Sequence, residues 1–469
     1  MACDQKAASR AVARIIPAFL GGLIVYNCYS ITKVLCIDYL IKPAAVTGLR
    51  PRISIAIGLL VTFYVLLIFL ATTYLRLLIT VIFFPGYLPR GPQWSGSSKQ
   101  KKNKGGKGRN HSGSIDQEKP EAIPYATLGE HNANDEKNVY PFDTTGLEAF
   151  YMKDIFVCQL DGKPPWCSTC CQFKTDRSHH CSEVNRCVRK MDHFCPWVGG
   201  VVSETSFKFF IQFLFYAMLF VTFNGVVMAV FVAEHKKMFG TLNIHWLVVL
   251  AASGFFGLFL AGMLISSLQM ALRNSSTIES LDWGSKVWTL AILIPRPLDL
   301  DNIPRESRPP FPIVCYPVSA SQSGSPYTSC RQFAILHTRP GENPFDLGDP
   351  FANLGEVMGH SVLDWILPVE HSPCASHNRQ DSMYALGPVV QRMKKEAGLL
   401  ETSARKSGYH SYKTKRRRRD GRSSDSDPSS SRSTHCRSRD ERNKTNRRKT
   451  KGPPKPRRRS RDGDRSVRG

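Results

Sequence analysis

The chain has 469 residues, 42% of them hydrophobic, and a formal net charge of +25. That length allows two or three soluble domains, yet the apolar residues are gathered into four blocks, which excludes a soluble core spread evenly along the chain. Residues 391–469 hold 28 Lys plus Arg against 9 Asp plus Glu, so most of the charge belongs to one tail and the rest of the chain is only mildly basic.

In chain order, residues 1–14 are short and polar, with Lys6, Arg10 and Arg14, and read as a cytosolic N-terminus. Residues 15–36 are long enough for a span of about 20 residues and lack a small-residue cleavage pattern, so a retained helix is expected rather than a signal peptide. Pro17 and Asn27 make it the weakest of the spans. Residues 53–84 carry one charge, Arg76, expected to snorkel toward the headgroups; residues 85–89, Pro-Gly-Tyr-Leu-Pro, then stop the helix. Residues 91–138 are rich in Gly, Ser, Lys and Asn and read as a flexible basic insert. An ordered cysteine-rich domain follows over 140–206, then spans at 209–232 and 246–272, the last with Trp246 at the interface.

The expected fold class is therefore an α-helical polytopic membrane protein: four transmembrane helices with a small cytosolic Cys-rich zinc-binding domain between helices 2 and 3. A cytosolic C-terminal region covers 273–369, and 370–469 is expected to be a disordered basic tail. Four spans put both termini on one side, and the Lys and Arg near both ends of 85–206 place that segment with them in the cytosol. Lys42, Arg50 and Arg52 in the short loop 37–52 run against that rule. The partner expected for the tail is an anionic lipid leaflet; nucleic acid is the rival, but basic runs alone do not support it, and no nucleic acid is expected.

Seven of the fourteen cysteines lie between Cys158 and Cys195. In a reducing compartment such crowding points to metal or catalysis rather than disulfides. Cys167-Ser-Thr-Cys170, with His180 and Cys187, supplies a four-ligand tetrahedral zinc site of Cys3His type. His179 fits the spacing as well as His180, and scattered buried thiols are the alternative reading. Cys195 lies two residues after His193 and three after Asp192. An imidazole there takes the thiol proton, a carboxylate orients the ring, and the product is a nucleophilic thiolate. Spacing alone also permits His193 and Cys195 as metal ligands.

The run Cys167-x2-Cys170, Arg177, His180-Cys181, Arg186-Cys187-Val188 and Met191-Asp192-His193-Phe194-Cys195-Pro196-Trp197-Val198 resembles the zinc-finger domain of the DHHC-type protein S-acyltransferases, the palmitoyltransferases. Its DHFC spelling is closest to fungal members that carry DHxC. Ser276-Thr277-Ile278-Glu279 resembles the family's TTxE motif, and residues 343–348 (Asn-Pro-Phe-Asp-Leu-Gly), with Asn353 and Gly359, resemble its C-terminal element. The likeness covers roughly residues 10–360.

The resemblance implies a reaction in two covalent steps: palmitoyl-CoA acylates Cys195, with His193 as base and Asp192 orienting it, and a cytosolic cysteine of a membrane-proximal protein then takes the acyl group. Trp197 is expected beside the thioester, Lys174, Arg177 and Lys190 near the CoA phosphates, and Thr277 and Glu279 as braces. It also implies a first zinc site that carries over whole and a second that does not. Of the second set only Cys181 remains, because Val184, Phe194 and Val201 stand at ligand positions, so one zinc per chain is expected, with those three side chains packed as an apolar cluster. Gly199, Gly200 and Ser206 replace the asparagines usual there. The rival reading is a catalytically inactive membrane-anchored zinc-binding adaptor. A RING-type ubiquitin ligase fails on ligand count. Cys158, Cys171 and Cys181 acquire no role, and the choice between endomembrane and plasma membrane is not written in the sequence.

Overall fold

A computed structural model describes residues 2–43, 50–92, 94, 147–298, 304–317, 330–375 and 383–400. Most of the basic insert and the tail from 401 onward lie outside the described residues. The first helix, α1 (Ala2–Tyr29), includes the polar residues expected as a separate N-terminus and runs straight into a π-helical stretch, Ser30–Ile41. Helix α2 (Ile53–Phe83) ends where Pro85 removes a donor. The chain then lies along the cysteine module, Leu88 N donating to Cys187 O and Gly91 N to Cys170 O, both at 2.9 Å.

The module opens with a turn of helix, α3 (Glu148–Tyr151), and β1 (Ile155–Val157). Three antiparallel hairpins follow: β2 (Trp166–Cys167) with β3 (Gln172–Phe173), β4 (His179–Cys181) with β5 (Arg186–Val188), and β6 (His193–Cys195) with β7 (Gly200–Val202). Strands of two or three residues do not hold as isolated ribbons, so side chains must clamp them. Helices α4 (Phe207–Phe239) and α5 (Ile244–Leu272) come next, then the short α6 (Thr277–Ser280), closed by a capping box of Ser276 and Glu279.

Strands β8 (Thr289–Leu293), β9 (Ile313–Pro317) and β10 (Cys330–His337) join β1 in an antiparallel sheet of order β1-β8-β10-β9. A disulfide between Cys315 and Cys330 links β9 to β10. The described chain ends with α7 (Pro350–Met358), α8 (Val362–Ile366) and α9 (Pro388–Glu396).

Residues 8–41, α2, α4 and α5 are each long and apolar enough to cross a membrane. Phe63, Phe220, Met228 and Trp246 pack between them, while Ile68 is 61%, Phe255 68% and Leu258 82% exposed. Apolar faces that bare suit lipid rather than water.

Three expectations change. Arg76 does not simply snorkel: its Nη2 meets His371 Nε2 at 3.0 Å, and its guanidinium lies 5.0 Å over the Phe209 ring. Arg52, out of place by the charge rule, donates to Glu234 at 2.9 Å, and Tyr39 shares that carboxylate at 2.7 Å, so its charge is matched within the fold. Part of the stretch expected to be disordered from 370 onward is ordered, since it holds α9 (Pro388–Glu396). Residues 383–400 pack, with Val390 and Met393 buried against Leu290 and Ile292, because the apolar stripe of α9 meets the sheet of β1, β8, β10 and β9 while Arg392 pairs with Glu342.

Candidate active site

The Sγ atoms of Cys167, Cys170 and Cys187 and a ring nitrogen of His180 all lie within 4.8 Å of one another. His180 Nδ1 is 3.6, 3.4 and 3.9 Å from the three sulfurs in that order. A tetrahedral ion with bonds of about 2.3 Å needs ligand atoms about 3.8 Å apart, so the cluster is the right size and chemistry for a metal ion. His180, not His179, faces the sulfurs. Burial drives the neighbouring His179 down to about 4, keeping it neutral. The metal-ligand alternative for His193 and Cys195 finds no support, since neither belongs to this group of four.

Where a second metal would need ligands, the fold has apolar packing. Cys181, Val188, Met191 and Val201 form a buried cluster, and Val184, Phe194, Tyr87 and Ile278 close it. Burial pushes the Cys181 thiol up to about 11, and its Sγ donates to Glu183 at 3.2 Å. Gly199 sits at φ +74°, a left-handed conformation open to Gly or Asn at little cost, which accounts for a glycine where asparagine is usual.

The β6–β7 hairpin carries the reactive group. Asp192 N donates to Val202 O at 3.0 Å, fixing the start of β6. The Asp192 carboxylate is 4% exposed and accepts three hydrogen bonds: from Thr277 N (2.8 Å), Thr277 Oγ1 (3.0 Å) and His193 Nδ1 (2.6 Å). With Nδ1 so engaged, His193 Nε2 is left buried and without a hydrogen-bond partner among the described residues. Burial alone would lower the imidazole, but the hydrogen bond and charge of Asp192, together with Cys195, raise it to about 9. Cys195 is 3% exposed and free.

Cys195 opens onto an apolar cavity that runs among α1, α2, α4 and α5. Trp197 lines it, its ring 5.4 Å from that of Phe259 and 6.2 Å from that of Phe256. Tyr74, which belongs to no motif, donates from its hydroxyl to Trp197 O at 2.9 Å and so pins the turn after Cys195 to α2. Asn27, the polar residue that weakened the first span, also faces this cavity.

Two of the three basic residues expected near CoA are spoken for. Arg177 is 3% exposed and donates to Glu279 Oε1 at 2.8 Å and Oε2 at 2.6 Å, and to Asn274 Oδ1 at 3.0 Å. Lys190, 6% exposed, donates to the same Asn274 oxygen at 3.0 Å. Neither has a face for a phosphate, which leaves Lys174, half-buried at the module surface. Thr277 and Glu279 brace as expected, one on Asp192 and one on Arg177. Burial would raise the Glu279 carboxyl, but Arg177 overrides it and holds it at about 2. Asn274, whose positive φ of 43° marks the end of α5, was missed; it also donates to Phe345 O at 2.9 Å.

Comparison with known proteins follows the same lines. The family described as DHHC palmitoyltransferase matches residues 161–284. A palmitoyltransferase pfa5 of Aspergillus fumigatus is 49% identical over 410 residues, covering 84% of this chain and 92% of that relative. Its counterpart in Emericella nidulans is 44% identical over 84% of this chain and 87% of its own length. Palmitoyltransferase PFA5 of Saccharomyces cerevisiae is 25% identical over 58% of this chain and 67% of its own length.

Proposed function

The chain belongs to the DHHC palmitoyltransferase family and is a protein S-palmitoyltransferase; from that premise we propose that it works through an acyl-enzyme at Cys195, with His193 as base and Asp192 as the group that orients and charges it. The observation that carries this reading is the 2.6 Å contact between His193 Nδ1 and Asp192 Oδ2, which leaves Nε2 for Cys195 at the mouth of an apolar cavity. The inactive-adaptor reading has no observation in its favour.

The donor is a long-chain acyl-CoA, palmitoyl-CoA in the first instance. The Cys195 proton moves to His193 Nε2, and the thiolate attacks the thioester carbon. The bond to the CoA sulfur breaks, and that sulfur leaves as a thiol with the proton from Nε2. The neutral imidazole then accepts a proton from the incoming cysteine of a protein substrate, whose thiolate attacks the acyl-enzyme and releases Cys195. The cavity wall keeps the acyl tail among apolar side chains, and Trp197 flanks the reacting carbon. Lys174 meets the CoA phosphates from the module surface.

Zinc suits the Cys167, Cys170, His180 and Cys187 set, where it would supply structural cross-linking of β2, β4 and β5 rather than chemistry. One ion per chain is expected, since the second set is apolar. The protein is a multi-pass membrane protein; both termini and the cysteine module face the cytosol, its substrates present cytosolic cysteines near the membrane, and the basic tail binds anionic lipid. Incubation of the purified protein with labelled palmitoyl-CoA tests the chemistry: hydroxylamine-sensitive label on the wild type and none on Cys195→Ser is the expected result. Label that survives in Cys195→Ser would refute an acyl-enzyme at this residue.

A further inference from the structure

Asp192 rests on a buried patch of alternating charge. Arg177, Arg189, Lys190, Asp192, Glu204 and Glu279 are all at most 7% exposed. Such charges are tolerated out of water only when each is paired and its remaining lone pairs are satisfied. A partner that reaches them from far along the chain is Tyr384. Its hydroxyl donates to Glu204 Oε2 at 2.6 Å. Its ring packs edge-on against Phe345 at 5.8 Å, and the Arg177 guanidinium and Lys190 amine lie 5.2 and 5.8 Å from its centre.

The backbone around Tyr384 is fitted to that position. Gly387 N donates to Pro344 O at 2.8 Å, and a Cβ on Gly387 would come within 1.7 Å of Asp346 O, so no other residue fits there without moving the chain. Helix α9 follows at once and is held by Val390, Met393 and an Arg392–Glu342 pair.

Glu204 in turn lies next to the catalytic hairpin in the chain. It follows β7 by two residues, and Val202 O at the end of β7 receives the amide of Asp192. Lys190, on which the Tyr384 ring lies, bonds Asn274, which begins the stretch ending in Thr277, the double donor to Asp192. One route from Tyr384 ends on the backbone amide of Asp192, the other on the carboxylate that sets His193.

We propose that Tyr384 is a positioning residue for acyl transfer: by donating to Glu204 and covering Arg177 and Lys190, it completes the buried network that holds Asp192 against His193. The segment 383–400 is thereby part of the catalytic unit, although it lies well beyond residues 161–284. This inference rests on Cys195 forming the acyl-enzyme.

The test uses the full-length purified protein in single-turnover reactions with labelled palmitoyl-CoA, reading the rate constant, the amplitude and the half-saturating donor concentration for hydroxylamine-sensitive label. Tyr384→Phe removes only the hydroxyl. Its rate constant is expected to fall about tenfold, the size of one hydrogen bond to a charged group. Amplitude and half-saturation stay unchanged, because Tyr384 lines no part of the acyl cavity. Glu204→Gln is expected to slow the reaction too, and the double variant to be no slower than the slower single, since both remove one interaction. An unaltered rate constant in Tyr384→Phe, a loss of amplitude alone, or fully additive losses in the double variant would each overturn the proposal. A wild type that takes no label overturns the acyl-enzyme reading and this inference with it, whereas a labelled wild type with an equally fast Tyr384→Phe overturns this inference alone.

Discussion

His193 has two ring nitrogens, and the fold assigns them different work. Nδ1 is committed to Asp192 at 2.6 Å, and the carboxylate there, with Cys195, lifts the imidazole to about 9. A ring this basic keeps the proton it accepts at Nε2 at neutral pH and can hand it to the departing CoA sulfur. The rate of Cys195 acylation is expected to fall above about pH 9, as the imidazolium is lost. In Asp192→Asn the hydrogen bond survives in weakened form but the charge does not, so the alkaline limb moves down by about one pH unit or more toward the ordinary imidazole value near 6.5. Single-turnover rates from pH 5.5 to 10 check this, and a limb that stays in place in Asp192→Asn would remove Asp192 from the role. Asp192, His193 and Cys195 were readable from the sequence because they are contiguous. Tyr74, Asn274, Glu204 and Tyr384 were not, because each reaches the site through tertiary contact from a residue type with no motif of its own.

The hairpins show the same division at the scale of elements. Strands as short as Trp166–Cys167 and Gln172–Phe173 carry no alternation to read, so the sequence marked the knuckle by its cysteines and left its strands invisible. Two clamps replace ladder length: the Cys3His set on β2, β4 and β5, and the cluster of Cys181, Val184, Phe194 and Val201 between the β4–β5 and β6–β7 hairpins. The second clamp holds by burial what a metal would hold by ligation. Because Val184, Phe194 and Val201 already converge on Cys181, the triple variant Val184→Cys, Phe194→His, Val201→Cys should acquire a second tetrahedral set. Metal analysis of purified protein is expected to give about one zinc per wild-type chain and about two per triple-variant chain. Two ions bound tightly by the wild type would show that the apolar cluster does not replace a site. The sheet of β1, β8, β9 and β10 was missed for another reason: β1 and β8 pair across more than a hundred residues, and no local pattern records that.

For the molecule as a whole, the question is how a charged module is fastened to the end of an apolar helix bundle. The spans were legible from hydropathy, but the partners of the charges were not: Arg52, an exception to the charge rule, is matched by Glu234, Arg76 holds the segment around His371, and Arg177 and Lys190, expected near the CoA phosphates, lie inside the joint. Composition counts charges and cannot say which will be buried. The central fastening is Arg177 with Glu279, side chains 0% and 3% exposed, which ties the cysteine-rich module to the segment leaving α5. Arg177→Leu strands the Glu279 carboxylate in a buried site and is expected to cost about 3–5 kcal/mol, whereas changing both residues to Leu should restore most of that loss, since the penalty comes from the unpaired charge. The pH dependence has a definite sign. Glu279 is held at about 2 in the folded chain, below its unfolded value near 4.3, so its contribution is fully present above that value and is lost as pH falls through 4 toward 2. Thermal unfolding of the detergent-solubilised protein at pH 7 and pH 3 checks both statements. The wild type should lose more stability on acidification than the double Leu variant, and equal losses would mean that this pair does not fasten the module.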